Sequence, residues 1–281
     1  MMKILSHILS WVFLPLFMPV YALLIGLYHP SNPILYSAYT MSNLPAEVKS
    51  QLFWVFFIFS CAAPGISFIM LRNKNIINTI DMENAKERSV PLIIMVGYCA
   101  IMYALFLFKA PNGVLPKYFY ALPLSGMLVA SLFLWINQRM KISMHAGGGG
   151  VLCGFLVAFY SVHSPAPLLL IIGAFLVSGL TISARLYLEK HRPIEVYSGW
   201  LFAFFITFCC NWFYPAELTT TPPLPTWLNF EADLHCSLSL RLCGKKVTET
   251  EWLPIRVLRT HSFRVFQSRD PPLLELAHRP L

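Results

Sequence analysis

Seven apolar runs, each bounded by polar or charged residues, constrain this chain more than any motif does. They lie at roughly Ile8–Tyr28, Leu52–Leu71, Leu92–Phe108, Tyr118–Ile136, Val151–Val162, Pro167–Leu188 and Gly199–Trp212. A helix needs about 20 mainly apolar residues to cross a bilayer. Composition agrees: 57% of residues are hydrophobic and 12% charged, where a soluble domain carries about 25% charge. A soluble fold of this size could not hide that much apolar surface. The sequence predicts an all-α, polytopic transmembrane bundle of about six to seven spans, a multi-pass integral protein of a plasma or inner membrane. The apolar run after Met1–Lys3 reads as a first membrane helix, because no small-residue cleavage site ends it. The fifth run is short for a crossing. It either borrows the Gly147–Gly150 run in front of it or tilts less than its neighbours.

The character changes after Tyr214. Prolines recur at Pro222, Pro223, Pro225, Pro254, Pro271 and Pro272, charges of both signs appear, and no long apolar run remains. The expected organisation is a membrane domain over residues 1–214 and a poorly ordered tail over 215–281. Five of the seven cysteines sit inside apolar runs, where cysteine behaves as a small hydrophobe. Cys236 and Cys243 lie in the tail without the paired spacing of a metal site. The net charge of +8 fits basic loops against anionic lipid headgroups, or a phosphorylated substrate held by Arg and Lys. No basic–aromatic pattern points to nucleic acid.

Charges at helix mouths are costly, so their placement carries information. Most charges of the membrane domain, 13 of 19, fall in three connections: Arg72–Val90, Asn137–His145 and Glu189–Glu195. Two crossings separate each from the next, so parity puts all three on one side of the membrane. Arg88, Lys141, His145, Arg185 and His191 are thereby expected at one mouth of the bundle.

The last connection is the most specific. Five residues separate Arg185 from His191, and three separate His191 from Glu195. On a helical turn, positions i and i+4 share a face. A carboxylate four residues after a histidine can accept one ring N–H and turn the other nitrogen outward. Such an imidazole beside an arginine suits attack on phosphorus. Arg185, Lys190 and Arg192 alone would also fit a basic flank of a membrane helix, but that leaves the His–Glu pair unexplained. The middle connection reads Lys141-Ile142-Ser143-Met144-His145-Ala146 before the glycine run. A helix start there favours anions, whereas the glycines themselves suit close helix packing.

These residues resemble the type 2 phosphatidic acid phosphatase superfamily. Its third motif is Ser-Arg, five residues, His, three residues, Asp; Ala184-Arg185, His191 and Glu195 match the spacing, with Ala for Ser and Glu for Asp. Its second motif is Pro-Ser-Gly-His; Ile142-Ser143-Met144-His145 keeps Ser and His. Its first is Lys, six residues, Arg-Pro; Lys86-Glu87-Arg88-Ser89-Val90-Pro91 keeps an arginine near a proline, while Asp81 occupies the expected lysine position. The resemblance covers about Asp81–Trp200, and an apparent hairpin of two spans separates the first two motifs. It implies that His191 attacks phosphorus to form a phosphohistidine, that Glu195 orients it, and that His145 protonates the leaving oxygen. It implies that Arg185, Arg88, Ser143 and Lys86 hold the phosphate, without a metal or other cofactor. The implied partners are membrane lipids and a lipid phosphate substrate.

The expected function is therefore a membrane phosphatase for a lipid phosphate or polyprenyl diphosphate. A non-catalytic lipid-binding relative is the alternative, given the changed first and second motifs. An intramembrane prenyltransferase is a third reading. Asn78-Thr79-Ile80-Asp81 faintly suggests one, but a second aspartate cluster to hold magnesium on a diphosphate is missing.

Overall fold

The computed structural model describes residues 2–33, 40–77, 85–110 and 115–215. The chain divides into two units, Met1–Phe230 and Glu231–Leu281. The second unit lies outside the described residues, as does the whole predicted tail after Pro215, including Cys236 and Cys243. The described helices are α1 (Met2–Val12), α2 (Met18–Tyr28), α3 (Ala46–Phe57), α4 (Ala63–Asn73), α5 (Ala85–Lys109), α6 (Tyr118–Ile136), α7 (Met144–Tyr160), α8 (Leu168–Tyr187) and α9 (Pro193–Phe213).

Five stretches are long and apolar enough to cross a membrane: Ala46–Asn73, Glu87–Lys109, α6, α8 and α9. Helices α2 and α7 are apolar but shorter. The chain is thus a helical membrane protein, and the outward faces of its long helices carry large hydrophobes such as Ile101, Leu169, Leu176 and Phe213.

The predicted first span, Ile8–Tyr28, is not one helix. It breaks into α1 and α2 at residues 13–17. Pro15 and Pro19 lack the N–H that would continue the ladder and restrict the residues before them. In lipid the carbonyls so released need partners, and Cys61 Sγ donates to Leu16 O at 3.0 Å. Cys61 lies in a π-helical turn, Ile58–Ala62, that joins α3 to α4 end to end. Pro64 follows that turn and cannot donate to Ser60 O, so one wider turn absorbs the lost bond.

Helix α7 is the hub. The fifth span does borrow the glycine run: α7 begins at Met144, and 14 of its 17 residues are buried. Its glycines point at different neighbours. An added Cβ would lie 2.5 Å from the Phe133 ring at Gly147, 2.7 Å from Pro15 Cα at Gly148, and 2.5 Å from Phe204 O at Gly154. At Gly149 it would strike Ser178 Oγ, and at Gly150 the carbonyl of Trp200. Glycine here lets α6, the α1–α2 junction, α8 and α9 approach one central helix together, which is how membrane helices gain packing without a hydrophobic drive. Trp200 Nε1 donates to Ser178 Oγ at 2.7 Å and ties α9 to α8 beside this contact.

Hydrogen bonds identify two ends of the bundle. At one, Asn32–Pro33 pairs antiparallel with His163–Ser164, and Lys117 Nζ donates to Trp212 O at 3.0 Å. The other end gathers the starts of α5, α7 and α9 and the end of α8.

Replacing Gly150 with alanine should lower thermal stability in detergent by about 1–3 kcal/mol, the usual cost of overpacking. Gly173→Ala on α8, where an added Cβ meets nothing within 4 Å, should show no such loss. Equal unfolding temperatures for the two variants would contradict the hub assignment.

Candidate functional site

The three charged connections meet at that second end. Arg88 lies in the first turn of α5, 2% exposed, and its Nη1 donates to Ile142 O at 2.7 Å. The Ser143 N–H donates to Glu195 O at 3.1 Å. Lys141 Nζ donates to Lys190 O at 2.7 Å. These bonds link all three predicted motifs across α5, α7 and the α8–α9 turn.

The α8–α9 turn is built as a helix end followed at once by a helix start. The Lys190 N–H bonds Arg185 O at 3.2 Å and the Glu189 N–H bonds Leu186 O at 3.0 Å, a Schellman closure. Its left-handed position is filled by Glu189, φ 53°, where glycine is usual. The α4 terminus closes the same way, with Asn75 at φ 55° and the Ile76 N–H on Leu71 O at 3.0 Å. This closure lifts the chain off α8 so that His191 falls just before Arg192, the N-cap of α9.

His191 Nδ1 lies 2.9 Å from Glu195 Oε2, and the imidazole is buried. The same oxygen accepts the Arg192 N–H at 3.3 Å. Glu195 stands in the first turn of α9, where the helix dipole favours a carboxylate. Because a carboxylate only accepts, Nδ1 is the nitrogen that donates to Glu195, and Nε2 is turned away from it. In a neutral ring so held, Nε2 is the nitrogen available as nucleophile or base.

Arg185 is in the last turn of α8 and 3% exposed. It shares the inward stripe of Ala174, Ser178 and Thr181, so it faces the bundle rather than lipid. Ser143 is the N-cap of α7, fully buried, and its Oγ accepts the Ala146 N–H at 3.4 Å. His145 is in the first turn of α7 and partly buried. Lys86 is the second residue of α5, beside Glu87, and its side chain lies outside the described residues, as do Asp81 and Asn78–Ile80.

His145 also borders a cavity of about 600 Å3 in this half of the bundle, which the sequence did not announce. Its walls come from α1, α2 and their junction, from α3, α4 and the π-helical turn between them, and from α5, α6 and α7. The signal that could have pointed to it is the pair Gly65 and Gly126, small residues at membrane depth away from the glycine run. Among the described residues, no group of three or more His, Cys, Asp or Glu side chains could hold a metal ion.

The site therefore combines an oriented imidazole, a second histidine one turn into a helix, and two buried guanidinium groups at the end of a lipid-facing bundle. Comparison with known protein families, with curated proteins and with solved structures finds no match for this chain.

Glu189→Gly should raise stability by about 1 kcal/mol, since glycine tolerates the left-handed conformation without the steric cost. Thermal unfolding in detergent checks it. An unchanged or lower midpoint would mean that the turn carries no strain.

Proposed function

We propose that this chain is an integral membrane phosphatase, acting on a lipid phosphate or polyprenyl diphosphate in the manner of the type 2 phosphatidic acid phosphatases. The observation that carries the reading is the His191–Glu195 pair, joined through the Ser143–Glu195 backbone bond to the helix start that bears His145. A local spacing and a distant motif meet at one helix mouth, and phosphoryl transfer uses that combination of groups.

His191 Nε2 attacks phosphorus and forms an N–P bond as the ester oxygen leaves. Glu195 holds Nδ1–H and stabilises the positive charge that develops on the ring. His145, protonated, gives its proton to the departing oxygen. A water then attacks the phosphohistidine with its proton passing to His145, and phosphate leaves with His191 restored. Arg185 and Arg88 offer planar guanidinium groups suited to phosphoryl oxygens. Arg88 also fixes the Ile142 carbonyl, so it positions the connection that carries Ser143. Lys86 completes the proposed phosphate-binding set. A site at the end of a membrane bundle suits a substrate whose phosphate sits at headgroup level and whose tail remains in lipid.

The test is phosphate release by purified protein from phosphatidic acid and from a prenyl diphosphate. His191→Ala should abolish turnover, and His145→Ala should cost about 10²–10⁴-fold, the usual range for a lost general acid. Equal release by wild type and His191→Ala would end the catalytic reading and leave a lipid-binding role.

A further inference from the structure

The segment that carries His191 is held at two points by the segment that leads into His145. Downstream of His191, the Ser143 N–H donates to Glu195 O at 3.1 Å. Upstream of it, Lys141 Nζ donates to Lys190 O at 2.7 Å. The Lys190 carbonyl shares one planar peptide unit with the nitrogen of His191. The lysine ammonium therefore fixes the peptide plane from which the imidazole hangs. Glu195 holds the ring itself at Nδ1, but a ring tied at one nitrogen still follows its backbone.

The upstream point is the one that needs a brace. The end of α8 closes over Glu189, whose φ of 53° is a conformation that an L side chain adopts only at a steric cost. The closing bonds run from the Glu189 N–H to Leu186 O at 3.0 Å and from the Lys190 N–H to Arg185 O at 3.2 Å. They hold the turn by its N–H groups, and Lys141 takes the carbonyl side. The lysine is half-buried, and a hydrogen bond from a charged donor is stronger than one between neutral groups.

Lys141 also works from a fixed base. Ile142, the next residue, is buried. Its carbonyl accepts from Arg88 Nη1 at 2.7 Å, and a Cβ added at Gly199 would lie 3.3 Å from its Cγ1. A long side chain on a loose loop transmits little. Here the backbone end of the lysine is tied to α5 and α9, and its tip is tied to the peptide before His191.

We propose that Lys141 is a positioning residue for His191, its ammonium setting where the imidazole stands without holding the phosphate. The proposal rests on the phosphatase reading for the reaction that His191 performs.

The full chain in nanodiscs tests this with phosphatidic acid. Lys141→Met keeps most of the stem and removes the donor. It should lower kcat about tenfold to a hundredfold, the scale of an ångström-sized misplacement. KM should stay within about twofold, because substrate binding is untouched. Lys141→Arg keeps the charge and the donors and should recover most of the loss. A second readout needs no turnover. In protein carrying isotope-labelled histidine, the Nδ1–H resonance of His191 is assigned by its absence from His191→Ala. It should be sharp in wild type and Lys141→Arg, and broadened or lost in Lys141→Met. If Lys141→Met does not fold, Lys141→Gln, polar and one bond shorter, is read in its place. A raised KM at unchanged kcat would make the ammonium a phosphate ligand and overturn the proposal. So would an unchanged kcat and KM, an arginine variant as impaired as the methionine variant, or a His191 resonance indifferent to the loss of the lysine. If wild type releases no phosphate while the resonance responds as expected, the brace stands and the phosphatase reading falls.

Discussion

Everything at the candidate site hangs from α7, a helix enclosed by its neighbours and short of side chains at its start. Lipid supplies no hydrophobic force between helices, so such a helix is held by close contact and by a few polar bonds. Glycines at 147, 148, 149, 150 and 154 allow that contact with α6, the α1–α2 junction, α8 and α9. The same closeness places the α7 N-terminus against the first turn of α9, where an added Cβ at Gly199 would lie 2.9 Å from Ser143 O. The Ser143–Glu195 bond is possible only at that separation. The glycines set the distance at which the Asn137–His145 and Glu189–Glu195 connections meet.

Two cations at this mouth bind main-chain carbonyls. Arg88 and Lys141 donate to main-chain carbonyls of Ile142 and Lys190. In both cases a cation satisfies a carbonyl near a helix terminus, where water and neighbouring turns would otherwise be needed. The result is a set of loops fixed by buried or half-buried cations at the end of the bundle where the three charged connections meet.

Much of this was legible because it is local. The α6 bounds coincide with the predicted span Tyr118–Ile136, since polar residues mark both ends. The His191–Glu195 contact follows from four-residue spacing alone. Parity anticipated the meeting of the three connections, because it needs only a count of crossings. Other predicted spans were too short: α5 starts at Ala85 and α9 at Pro193, as charged first turns extend helices that hydropathy ends early. The break at Pro15 was missed because an apolar average is blind to a lost N–H. The π-helical turn and the cavity were not legible. One depends on how α4 answers Pro64, and the other is space left between α1 to α7, which no single segment encodes.

Glutamate at position 195, where the resembled motif has aspartate, follows from the local architecture. The carboxylate stands three residues beyond the N-cap and must reach back to the Arg192 N–H while holding the His191 ring nitrogen. That backward reach is the one glutamate makes in a capping box, and aspartate, a methylene shorter, is not the residue that makes it. The helix start thus orients the carboxylate, and the carboxylate orients the imidazole. The longer side chain reaches the Arg192 N–H and the His191 ring together. An imidazole held by a helix terminus is steadier than one held by a free side chain, because its partner moves only if the first turn of α9 unwinds.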